Sequence, residues 1–114
     1  MIVHKQIEVL LKCGLTMVDE GVAPLVKWID SFATVKTYAC CEGIDGEWFP
    51  YVFFSAEETD IIAITEELPV WYYDEGVVLE VGFNSIIPPA LPKLKYTLTF
   101  PNADRFKRIV DKLK

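Results

Sequence analysis

Residues 94–100 alternate Leu94, Tyr96, Leu98 and Phe100 with Lys95, Thr97 and Thr99. A strand with one dry and one wet face does not stand alone, because another layer must cover its apolar side. The chain supplies a cover at once. Asn102 can cap a helix in which Ala103, Phe106, Ile109, Val110 and Leu113 fall on one side. This pairing restricts the fold to one in which helices pack on a sheet.

The rest of the chain repeats the theme. Residues 6–13 place Ile7, Val9 and Leu11 opposite Glu8 and Lys12, a strand pattern. Val22, Leu25, Val26, Ile29 and Ala33 form a helical face, with Pro24 in the first turn, where its missing N–H costs nothing. A short strand over residues 35–41 and a loop over 42–49 follow. Residues 50–54 have the aromatic and β-branched content of a buried strand. Ser55 and Glu58 have capping-box spacing, which predicts a helix starting there, with Ile61, Ile62, Ile64 and Leu68 on its apolar side and Pro69 beyond its end. Residues 70–73 and 77–83 flank Asp74-Glu75-Gly76, a hairpin-loop signal. Within the second of these segments Val77, Leu79, Val81 and Phe83 point one way. Pro88, Pro89 and Pro92 mark an irregular connection. The expectation is one α+β two-layer domain over residues 1–114, with a mainly antiparallel or mixed sheet of four to six strands and about three helices on one face.

At 114 residues the chain fits one domain, and a 52% hydrophobic share with 25% charged residues excludes a disordered or collagen-like chain. The net charge of −6 argues against general nucleic-acid binding. It is unevenly spread: residues 1–90 hold four Lys or Arg against fifteen Asp or Glu, and residues 91–114 hold seven against two. No apolar run approaches the ~20 residues that span a bilayer, and charge interrupts the N-terminal segment before a signal h-region forms. Cys13, Cys40 and Cys41 are odd in number and two are adjacent, a pattern suited to a reducing compartment. These features predict a cytoplasmic protein with no membrane partner. With His4 as the single histidine and no C-x-x-C spacing, no metal site is expected, and His4 is assigned no role.

The segment most suited to chemistry is Cys40-Cys41-Glu42-Gly43, at a strand-to-loop transition. A nucleophilic cysteine needs a nearby cation, imidazole or helix N-terminus. Glu42, Asp45 and Glu47 work against one. The same acids could hold a hard cation, but they lack the alternation of a calcium loop. Trp48 and Phe49, with Trp71, Tyr72 and Tyr73, offer rings for stacking a ligand or for ordinary core packing. Candidate ligand-binding residues are therefore Asp19, Thr37, Cys40, Cys41, Glu42, Gly43 and Trp48. Arg105, Arg108 and Lys112 share a helix face that could meet an anionic partner.

Val18-Asp19-Glu20, Pro24-Leu25-Val26, Ile29-Asp30-Ser31, Thr37, Cys41 and Gly43 together resemble the N-terminal motif region of the wybutosine-synthesis tRNA methyltransferase family. Small uncharacterised bacterial and phage proteins share this pattern. The resemblance covers residues 18–43 only. It implies an enzyme that uses S-adenosylmethionine to methylate a tricyclic guanosine derivative in phenylalanine tRNA, with its site at the loop from Cys40 to Gly43. Where the family loop reads Ser-Cys-Ser-Gly-Arg, this chain has Cys40, Cys41, Glu42, Gly43 and Ile44. A carboxylate gained and an arginine lost disfavour phosphate.

Two functional classes emerge. The first is a non-catalytic accessory factor, of the kind phages or mobile elements encode, that binds a small molecule or a protein. The second is a methyltransferase-like enzyme that uses S-adenosylmethionine. A homodimer edge at residues 71–73 and the strand after them is a third possibility.

Overall fold

A computed structural model describes residues 4–43, 49–68, 77–84, 93–101 and 103–113. Among these residues the protein is an α+β fold with three α-helices and six strands in two antiparallel sheets. Strands β1 (Gln6–Leu11) and β2 (Gly14–Asp19) form a two-stranded hairpin. A 3₁₀ turn (Glu20–Val22) leads into helix α1 (Ala23–Asp30), then β3 (Lys36–Cys41), β4 (Tyr51–Ser55) and α2 (Glu58–Glu67). Strands β5 (Val78–Asn84) and β6 (Lys93–Thr99) and helix α3 (Ala103–Leu113) complete it. The larger sheet has the order β3-β4-β6-β5.

The register shows why the alternating residues alternate. Val52 stands opposite Leu98 and Phe54 opposite Tyr96, all four buried, so β4 and β6 give the sheet one apolar face. Leu25, Val26 and Ile29 of α1, Ile64 of α2, and Phe106, Ile109 and Val110 of α3 join the same cluster. Phe54 and Tyr96 stack with ring centroids 6.0 Å apart, and Phe100 meets Phe106 at 5.0 Å. The opposite face is partly exposed among the described residues. There Tyr38 packs on Phe53 at 5.6 Å, with the Lys95 ammonium 4.5 Å above the Tyr38 ring, a cation–π arrangement.

Several local expectations change. The strand expected over residues 6–13 ends at Leu11, and a second strand begins at Gly14, whose φ of 117° suits the tight turn. Polarity hid β2, because Leu15 (67% exposed) and Met17 (55%) point outward. The Ser55 capping box does not form: Ser55 ends β4, its hydroxyl pairs with the Tyr38 hydroxyl at 3.1 Å, and α2 starts at Glu58. Helix α1 stops at Asp30, which leaves Ala33 exposed, and Ile62 of α2 also faces solvent. Val81 faces the Tyr96 side as expected but is 62% exposed on an outer strand. The expectations for residues 69–76, Pro88, Pro89, Pro92 and the Asn102 cap lie outside the described residues.

Candidate functional site

The ends of β2 and β3 meet where the sequence places its candidate residues. The hairpin aligns Gln6 with Asp19, and the Glu20 N–H donates to the Lys5 carbonyl at 2.8 Å, which extends the pairing past the strand. His4 is thereby held beside Asp19, with Nδ1 3.0 Å from Oδ2. Asp19 is buried, and its oxygens also accept from the Glu42 N–H at 3.2 Å and the Gln6 side chain at 3.3 Å. Burial pushes the Asp19 carboxyl upward, but these donors prevail and hold it below the ordinary aspartate value. It is a carboxylate at neutral pH.

The loop after β3 closes on the same point. The His4 Nδ1 lies 3.5 Å from Glu42 Oε1, and the Gly43 N–H donates to Cys41 Sγ at 3.3 Å. Gly43 has φ 83°, and a Cβ there would stand 2.7 Å from the Pro50 nitrogen, so both conformation and space require glycine. Gly21 has a related role: a Cβ on it would come within 1.8 Å of Glu42 Oε2. Glu42 therefore lies directly over Gly21.

The adjacent cysteines differ in environment. Cys40 packs against the core, and burial followed by the charges of Asp19 and Cys41 pushes its thiol up to about 11. At neutral pH it is a protonated thiol and a poor nucleophile.

A cleft adjoins this region, and a second cavity lies toward the other end of the same strands, by the hairpin turn. The cleft, of about 220 Å³, separates β2 from β3 and is bounded by Thr16 to Asp19 on one side and Thr37 to Cys40 on the other. The second cavity, of about 380 Å³, is lined by Lys12, Cys13, Asp30, Val35, Lys36 and Thr37. Buried Asp30 holds its wall together. It accepts the Lys12 N–H at 2.9 Å and lies 3.5 Å from the Thr37 hydroxyl, while the Lys12 ammonium donates to the Asp30 and Phe32 carbonyls.

Asp19, Cys41, Glu42 and Gly43 thus converge at one point, and Thr37 and Cys40 line the adjoining cleft. Trp48 lies outside the described residues. On α3, Arg105 and Arg108 are half-buried and Lys112 is exposed, and all three have partners within the protein. His4 is the member of the cluster that sequence reasoning missed. Only the hairpin register, which needs β2, could have signalled it. No family model matches the chain, and neither a curated protein nor a solved structure is significantly similar to it.

Proposed function

We propose that this protein is a non-catalytic binding domain that takes an extended, partly apolar segment of a partner protein in the cleft between β2 and β3. The observation that carries this reading is the cleft's position between two strands that, among the described residues, each pair on one side only. Outer strands are natural templates for an added strand, with main-chain hydrogen bonds giving affinity and flanking side chains giving selectivity. Met17 and Tyr38 supply exposed apolar contacts on the two walls. The raised Cys40 thiol, inert at neutral pH, also suits binding rather than covalent chemistry.

Short peptides of alternating apolar and polar residues, read by fluorescence polarisation, test this. Binding should occur and should weaken by about tenfold or more in Met17→Lys, with an unchanged melting temperature. No binding below about 100 µM, or methyl transfer from S-adenosylmethionine to tRNA, would overturn it.

One observation favours the methyltransferase-like reading. Asp30 and Thr37, both part of the family-like pattern, together line the cavity of about 380 Å³. S-adenosylmethionine at ~100 times its dissociation constant should then stabilise the protein by about 2.7 kcal/mol. An unchanged melting temperature at saturating concentration would reject this alternative.

A further inference from the structure

We propose that His4, Asp19 and Cys41, with Glu42 beside His4, form a binding site for a single zinc-class divalent cation, independently of what occupies the cleft. The donor atoms of His4, Asp19 and Cys41 all lie within 4.8 Å of one another. Glu42 brings a second carboxylate to 3.5 Å from the same imidazole nitrogen. Zinc bonds of ~2.0–2.3 Å arranged tetrahedrally put neighbouring donors ~3.3–3.7 Å apart. The His4 to Glu42 distance already matches. The His4 to Asp19 pair, at 3.0 Å, needs to open by only a few tenths of an ångström.

The donor set selects the ion. Magnesium and calcium prefer oxygen throughout, whereas one imidazole, one sulfur and carboxylate oxygens suit zinc or cobalt(II). The outer contacts are those a metal centre uses to orient its ligands: Gln6 donates to the second Asp19 oxygen, and the Gly43 N–H points at the Cys41 sulfur. A hydrogen-bonded His4–Asp19 pair by itself does not account for a thiol in the same cluster. Cys40 is excluded because successive strand residues face opposite ways, and its sulfur is turned toward the core.

Cobalt(II) titrated into the reduced, metal-stripped full chain provides the test, because a thiolate ligand adds a charge-transfer band in the near ultraviolet. One equivalent should bind with a dissociation constant in the micromolar range or tighter, displaceable by zinc and not by magnesium. Cys41→Ser should remove the band, and His4→Ala should weaken binding by more than about tenfold. Cys13→Ser should change neither. The wild-type titration decides the matter even if a variant misfolds. Binding weaker than about 100 µM, the absence of a thiolate band, or a band that survives Cys41→Ser and vanishes with Cys13→Ser would overturn the proposal. Failure of the peptide experiment would leave this result unaffected, since the cation is added alone.

Discussion

Thr34, 26 residues before Asp60, braces the first turn of helix α2 from outside the helix: its N–H donates to the carboxylate of Asp60, in that turn, at 2.8 Å, and its hydroxyl donates to the same oxygen. In return that hydroxyl accepts the Glu57 N–H at 3.0 Å, at the residue preceding the helix. The Thr34 hydroxyl and N–H hold the Asp60 carboxyl below its ordinary value of 3.8. A depressed carboxyl contributes stability that is fully present above the unfolded value and is lost as pH falls through the folded one. Asp60→Asn should therefore lower the urea midpoint at pH 7. The gap from wild type should close as the pH drops below about 4.

Phe54 is fully buried between β4 and the helices and stacks on Tyr96. Truncating it to alanine should cost about 3–5 kcal/mol, from lost transfer energy and the cavity left behind. Equilibrium denaturation measures this directly.

Gly43 and Gly14 both have positive φ, but they differ in space: nothing lies within 4 Å of a Cβ on Gly14, whereas Pro50 blocks one on Gly43. Gly14→Ala should cost about 1 kcal/mol, from conformation alone. Gly43→Ala should cost more, about 2–3 kcal/mol, and displace the loop after β3. Comparing the two denaturation midpoints separates strain from collision.

Alkylation should distinguish the cysteines. Cys13 is exposed, while Cys40 is packed on the core with its thiol raised to about 11. Iodoacetamide at pH 7.5, followed by peptide mass mapping, should modify Cys13 well before Cys40. Equal rates would show that Cys40 is not packed as described.

The hairpin's apolar exposure should be energetically idle in the isolated protein. Leu10 is 75% exposed and is aligned with Leu15, also on the surface. Leu10→Lys with Leu15→Lys should leave thermal stability within about 0.5 kcal/mol per site.

Legibility followed periodicity. The alternation of β6 and the spacing of Phe106, Ile109 and Val110 on α3 were plain because each buried position recurs at the period of its own element. Strand β2 was obscured because Leu15 and Met17 face water while Val18 beside them is buried. Ser55 carried a valid capping signal that lost to strand pairing, since β4 runs through it and Tyr38 takes its hydroxyl. In each case a tertiary contact outweighed a local preference of about 1 kcal/mol.

By itself the sequence determined an α+β chain with an acidic body and a basic last helix, and it located the segment around Cys41 and Gly43. Those properties depend on composition and on neighbours a few residues apart. Tertiary structure alone decided that His4, Asp19 and Cys41 would share one point with Glu42 beside His4, and that Thr34 would brace the start of a helix distant in the chain. Such meetings are set by hairpin register and by the packing of one sheet end against another. A single strand slipped by one residue would reverse every side chain involved, and no local pattern encodes that choice.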